Sequence, residues 1–403
     1  MNEREQILYK HSTYVMPTYA PTLALVKGKG AWVWDVEDNR YLDFLSGIAV
    51  TNVGHCHPRH VKAIRKQAGT LMHVSNLFYN REQPELAHRL SDISLRGKCF
   101  FCNSGAEANE ALIKLARLWG KPRGRHEIVT MANSFHGRTM ATISATGQSK
   151  VQDGFAPLLE GFVQATFNDL DSVRAALSPR TAAVLVEAIQ GEGGVRPATR
   201  AFMEGLRRLC DEQGILMLCD EVQCGMGRTG RWFGYEHFGI QPDAISLAKG
   251  LGGGFPIGAI VVRPSLSDVF QPGRHATTFG GTPLACAAAR AVIDIIEDEG
   301  LRANAQLRGQ QFMDRLKQLA TRYAWIREVR GMGLMIGMEL DRPAAGLQEL
   351  LLEKGLLALA TAHTVIRFLP PLNLRRSQVT KAVRMVDKAC AAFNATSQGE
   401  KTA

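Results

Sequence analysis

The chain has 403 residues, 45% hydrophobic and 21% charged, a globular balance with enough material for a large core. No apolar run is long enough to span a bilayer, and the charged start Met1-Asn2-Glu3-Arg4 lacks an apolar signal segment, so the expectation is a cytoplasmic protein. The formal charge of +10 comes without a lysine/arginine run interleaved with aromatics, which argues against nucleic acid and suits acidic small-molecule ligands.

Short strand-like pieces open the chain, among them Ala31–Trp34 and Tyr41–Phe44. His55-Cys56-His57-Pro58 has ligand-type residues but reads as a loop before a helix, and no metal site is expected there. From Pro58 helix and strand patterns alternate. Cys99–Cys102 is an apolar strand-like run whose cysteines, three apart, face opposite sides, which argues against a shared metal. Eight cysteines in a chain this long do not make a disulfide framework. Helical spacing follows at Ala108, Ala111, Leu112, Leu115 and Trp119. Further apolar runs lie at Ile128–Met131, Ala182–Val186, Ile215–Cys219, Ala244–Ala248 and Ile257–Val262. Short runs that are apolar throughout fit strands buried on both faces, so an α/β fold with a mostly parallel sheet is predicted. After Ala289 an amphipathic helix over Arg302–Tyr323 leads into Ile326–Leu340, further strands and a terminal helix, with a polar, frayed tail expected after Ala395. The expected division is 1–59 and 290–403 as two parts of a small α+β domain, with 60–289 as the large domain.

The chemistry-bearing motifs sit at predicted strand ends, where open α/β sheets bind ligands. Asn103–Glu110 joins a strand to a helix. Its small residues and free helix amides make an anion site, and Ser104 with Glu107 also reads as a capping box. In Ser134–Thr139, Phe135 offers a stacking face and Arg138 a bidentate grip for a carboxylate; the plainer reading is a core Phe and a surface Arg. Glu187–Gly194 makes a tight loop in which Glu192 is either solvated or paired with an arginine. Asp220 and Lys249 close two consecutive strands. A desolvated lysine beside a carboxylate suits a Schiff-base nucleophile and an anchor for a pyridinium nitrogen; the plainer reading is a snorkelling lysine and a capping acid. Gly225–Gly230 spells G-x-G-x-x-G, but Asp220–Cys224 separates it from its strand, which weakens a dinucleotide-binding, dehydrogenase reading. Gly252-Gly253-Gly254 lacks the Gly-Lys-Ser/Thr ending of a P-loop. Thr277-Thr278-Phe279-Gly280-Gly281 offers hydroxyls to a phosphate, and Arg367 sits in an apolar strand where a buried arginine needs a partner.

Taken in order, these motifs resemble the class III pyridoxal-phosphate aminotransferases, and within them the acetylornithine aminotransferases, from about Tyr19 to Asn373. The resemblance implies the aspartate-aminotransferase-like type I fold of pyridoxal-phosphate enzymes. It implies transfer of the terminal amine of N-acetylornithine to 2-oxoglutarate in arginine biosynthesis. Succinylornithine, succinyldiaminopimelate, ornithine and 4-aminobutyrate are the alternative donors, and a binding protein without turnover is the inert alternative. Carried over by position, Lys249 is the Schiff-base lysine and proton shuttle and Asp220 holds the pyridine nitrogen. Gln223 meets the ring hydroxyl, Phe135 stacks on the ring, and Ser104, Gly105 and Ala106 hold the phosphate. Thr278 reaches the phosphate of the neighbouring subunit in a homodimer. Arg138 takes the α-carboxylate of acetylornithine and Arg367 that of glutamate or 2-oxoglutarate, with Glu192 masking Arg367. Tyr19 and Thr277 complete the substrate set. The chain departs from the usual pattern at Ala106, Ala188 and Thr282. Ile48 stands where ornithine aminotransferases carry Tyr, and Ala360–His363 differs near the substrate entrance.

Overall fold

The computed structural model describes residues 1–399, and the side chains of residues 1–395. A seven-stranded sheet is built from β1 (Cys99–Cys102), β2 (Glu127–Met131), β3 (Phe162–Ala165), β4 (Thr181–Glu187), β5 (Leu216–Asp220), β6 (Ala244–Leu247) and β7 (Gly258–Val262). Its order is β1-β7-β6-β5-β4-β2-β3. β7 runs against its neighbours β1 and β6, and the other pairs are parallel. The apolar runs predicted as strands are all strands here, to within a residue or two at each end. β3 was not foreseen: it lies at the sheet edge and is only partly buried, so its sequence lacks a continuous apolar run.

Every residue of β4 and β5 is buried, because both faces of the sheet are covered. Val184, Val186, Met217 and Cys219 pack into the cluster that holds Phe202, Met203 and Leu206 of the helix Arg200–Gln213. Their neighbours Ala183, Leu185, Leu216 and Leu218 pack with Ala108, Ala111, Leu112 and Leu115 of α1 (Gly105–Gly120). This period-two division fixes which strand residues face which helix layer.

Two smaller sheets flank this core. One joins distant parts of the chain: Leu25–Lys29, Trp32–Asp35 and Arg40–Asp43 are extended by Leu356–Leu357, with Leu42 paired to Leu356 in parallel. The other is antiparallel, in the order Ile326–Met332, Met335–Leu340, Val365–Phe368, Leu359–Thr361, and packs against the helix Leu301–Ala320. The helix Pro283–Asp298 runs unbroken through residue 289. The terminal helix continues to Gly399, past the expected frayed start at Ala395, and the last residues of the tail lie outside the described residues. Among the described residues no helix is long and apolar enough to cross a membrane.

Gly258, opening β7 opposite Cys102, lets β7 approach the chain that leaves β1. A Cβ there would press on the Ser104 carbonyl oxygen and stand 2.8 Å from Cys102 Sγ. Gly258→Ala is therefore expected to cost about 1–3 kcal/mol through overpacking. A lowered thermal midpoint checks this, and an unchanged midpoint would contradict the packing at this point.

Candidate active site

The carboxyl ends of β2, β4, β5 and β6 and the start of α1 converge on a cavity of about 410 Å³. Its lining includes Ser104, Gly105, Ala106, Phe135, Arg138, Glu187, Glu192, Asp220, Gln223 and Lys249. Nine of these ten were singled out from the sequence as site residues, and the fold brings them to one place from segments far apart in the chain. Glu187 was seen only as the start of a glycine-rich loop.

Asp220 ends β5 and is 3% exposed. Its Oδ2 accepts hydrogen bonds from Asn109 Nδ2 at 2.7 Å and His136 Nδ1 at 2.8 Å, and its Oδ1 accepts from the Val222 amide at 3.0 Å. Asn109 is fixed in turn: it donates to the His136 carbonyl at 2.8 Å and accepts from Ser246 Oγ at 2.7 Å. Ser246 pairs directly with Asp220 across the β5–β6 ladder. A buried carboxylate needs such partners. Asn109, His136 and Ser246 carried no functional signal in the sequence, because their importance lies in contacts 27 to 137 residues away.

Lys249 follows β6 in a left-handed conformation, φ +46°, a backbone state that a lysine rarely adopts, and it lines the cavity. Nothing in the described residues hydrogen-bonds its amine. Burial pushes the Lys249 amine below its ordinary range, with Glu192 opposing and Arg367 reinforcing the shift. Glu187 ends β4 and accepts from the Phe135 amide at 3.2 Å and the Gly191 amide at 3.4 Å. Burial, reinforced by Asp220, holds its carboxyl well above the usual range.

Arg367 is fully buried in the strand Val365–Phe368. Its Nη1 donates to Glu192 Oε1 at 2.6 Å and Gln223 Oε1 at 3.2 Å, while Nε and Nη2 have no partner among the described residues. Burial alone would raise the Glu192 carboxyl, but the Arg367 guanidinium overrides it and holds Glu192 below the ordinary range. Glu192 lines the cavity and Arg367 stands behind it. Arg138 is exposed at the cavity, its guanidinium 5.7 Å from the Phe135 ring.

The segment leading into the site is unusual. Ser46, Gly47, Ile48 and Ala49 all have positive φ, between 51° and 65°. Each non-glycine residue so placed costs on the order of 1–3 kcal/mol. Asp43 holds the turn, its Oδ1 accepting from the Leu45 and Ser46 amides at 2.8 Å. Val50, next in line, reaches the cavity.

Besides Arg367, which stands behind Glu192, three predicted residues do not line this cavity within one chain. Tyr19 is 83% exposed. Thr277 and Thr278 line a separate hollow with Leu77, Tyr79 and His275.

The residues present fit pyridoxal phosphate. Lys249 supplies an unpartnered amine. Asp220 Oδ1 carries a single hydrogen bond and so keeps acceptor capacity for a ring N–H. Gly105 and Ala106 open α1, where backbone amides have no intrahelical acceptor and the helix dipole favours an anion.

Comparisons with known proteins agree. The family described as aminotransferase class-III matches residues 14–390. The chain is 48% identical to the acetylornithine aminotransferase of Caldanaerobacter subterraneus subsp. tengcongensis, over 93% of this chain and 96% of that one. It is 48% identical to the acetylornithine aminotransferase of Methanocaldococcus jannaschii, over 91% and 93%. An ornithine aminotransferase structure from Toxoplasma gondii, described as having partial occupancy of pyridoxal phosphate at its active site, superposes with a TM-score of 0.93 at 34% identity, covering 97% of this chain and 95% of that one. The chain belongs to the class-III aminotransferases.

Proposed function

We propose that the protein transfers the terminal amine of N-acetylornithine to 2-oxoglutarate, giving N-acetylglutamate 5-semialdehyde and glutamate, as a cytoplasmic enzyme of arginine biosynthesis. Its substrates are small molecules. The observation that carries this reading is the pair of arginines around the Lys249–Asp220 cavity. Arg138 is exposed at its mouth, and Arg367 lies buried behind Glu192 with Nε and Nη2 unpaired among the described residues. Two substrates that share one site in alternation need two carboxylate grips, one of which can be covered. The likeness to acetylornithine aminotransferases over more than nine-tenths of the chain supports the choice of donor.

Bound pyridoxal phosphate supplies an electron sink for the carbanion left when the substrate carbon loses a proton. Lys249 Nζ, lowered in basicity by burial, takes that proton and returns it one position along. Asp220, locked by Asn109 and His136, would hold the proton of the ring nitrogen in place. Gln223 would meet the ring hydroxyl, Phe135 would cover a ring face, and Ser104, Gly105 and Ala106 would hold the phosphate. Arg138 binds the α-carboxylate of acetylornithine while Glu192 neutralises Arg367. When 2-oxoglutarate or glutamate enters, Glu192 rotates away and the substrate carboxylate takes its place on the Arg367 guanidinium.

The reading includes a homodimer. Leu77, Phe78, Tyr79 and Phe279 are between 62% and 107% exposed beside Thr277 and Thr278, a cluster of large apolar side chains of the kind a partner surface covers. A second copy seated there brings Thr278 to its neighbour's phosphate, with Thr277 and Tyr19 beside the neighbour's substrate. We also propose the division into a large domain from residue 60 and a small domain from both termini. The proposed parts are 60–289 for the large domain and 1–59 with 290–403 for the small one, the helix Pro283–Asp298 running across the second seam.

Glutamate formation from 2-oxoglutarate with N-acetylornithine, N-succinylornithine, ornithine, 4-aminobutyrate and succinyldiaminopimelate tests the substrate. The highest kcat/KM is expected for N-acetylornithine, and Arg138→Ala is expected to lower it about 100-fold, the loss of a charge-assisted carboxylate grip. The same variant should leave the glutamate half-reaction within about threefold. A better donor from the panel, or equal losses in both halves, would refute the assignment. Borohydride reduction with pyridoxal phosphate near pH 7 should label Lys249 first, since its lowered pKa leaves more free amine than a surface lysine has. A label spread over many lysines, or unchanged in Lys249→Ala, would contradict its role.

A further inference from the structure

Glu192 is attached twice to a single hairpin. The strands Leu359–Thr361 and Val365–Phe368 pair antiparallel, with Leu359 opposite Arg367 and Thr361 opposite Val365. Arg367 on one strand holds the Glu192 carboxylate at 2.6 Å. Thr361 on the other, itself buried, donates its hydroxyl to the Glu192 backbone carbonyl at 2.8 Å. The strand Ile326–Met332, at the far edge of the same sheet, adds Arg330, whose Nη2 donates to the Gly194 carbonyl at 2.6 Å and whose Nε donates to the Val195 carbonyl at 3.0 Å. The hairpin tip is seated against the same loop. Gly194 has φ +98°, and a Cβ there would stand 3.2 Å from Ala362 Cβ. Ala362 and His363 reach this seat through left-handed conformations, φ 46° and 65°.

From this arrangement we infer that Thr361 is a specificity-determining positioning residue: it anchors the Glu192 backbone and thereby sets how hard a dicarboxylate must compete for Arg367. The inference rests on Arg367 being the carboxylate grip for 2-oxoglutarate and glutamate. With its backbone fixed by Thr361 and Arg330, Glu192 moves by side-chain rotation alone. An anchored carboxylate has a high effective concentration at its partner, as any tethered ligand has. An incoming dicarboxylate must displace it, and that competition raises the apparent KM of the dicarboxylate. The N-acetylornithine half-reaction gains from the same anchor, because it proceeds with Arg367 covered. Ala360–His363, the segment that departs from expectation near the substrate entrance, thus has a physical task in this chain.

Thr361→Val keeps the shape and removes the donor; Thr361→Ser keeps the donor. In stopped-flow half-reactions of the holoenzyme, Thr361→Val should lower the half-saturating concentration of 2-oxoglutarate and of glutamate about three- to tenfold, the worth of one hydrogen bond. It should raise that of N-acetylornithine, with the limiting rates within about twofold. Thr361→Ser should restore wild-type values. Equal shifts for both substrates, a fall in limiting rate alone, or a serine variant that behaves like valine would overturn the inference. Arg330→Lys, which loses the two-pronged grip on the loop, should shift the same two constants in the same directions and decides the matter if Thr361→Val folds poorly. Arg367→Ala separates the underlying assumption: if it leaves 2-oxoglutarate saturation unchanged, the carboxylate grip itself is misplaced, whatever the anchor does.

Discussion

The parallel pairing of two buried strands, β5 and β6, is the constraint on which the site depends. It sets Asp220 beside Ser246, three residues before Lys249, at the edge of the sheet that opens onto the cavity. Burying a carboxylate there is costly unless its lone pairs are used. The structure meets that cost with Asn109, His136 and the Val222 amide, and Ser246 from the paired strand fixes Asn109. The same burial that threatens Asp220 is useful to Lys249, because desolvation favours the uncharged amine that chemistry requires. One packing arrangement therefore produces both an oriented carboxylate and a nucleophilic lysine.

Charge in this site must also move. Arg367 is fully buried, and among the described residues only one of its nitrogens has partners. Such an arginine is a poor stabilising element and a good receptor for a planar carboxylate. Glu192 gives it a partner when no substrate does, and the small antiparallel sheet holds the loop that carries Glu192. In this account the large sheet supplies the chemistry and the small sheet supplies the selection between substrates.

Most of this was legible in the sequence, for a physical reason. Strands buried on both faces leave unbroken apolar runs, and residues at their ends are where polar groups reappear, so Asp220, Lys249, Phe135 and Arg138 stand out as punctuation. What escaped has no such signature. β3 is an edge strand without a solid apolar run. The left-handed turn at Ser46–Ala49 contains one glycine among three residues that ordinarily avoid that conformation, so only tertiary contacts reveal it. Asn109, Ser246 and His136 matter through distant partners. Tyr19, and the reach of Thr278 to a neighbouring subunit, were read from family resemblance, and a single chain leaves Tyr19, Thr277 and Thr278 away from the cavity.

The most direct test of the central claim is spectroscopic. The purified protein, reconstituted with pyridoxal phosphate, should show a visible absorbance band that depends on Lys249. N-Acetylornithine should bleach the band, and 2-oxoglutarate alone should restore it. In Lys249→Ala the band should be absent or immune to the donor. A band that persists unchanged in the presence of N-acetylornithine, or that bleaches equally well without Lys249, would contradict the account.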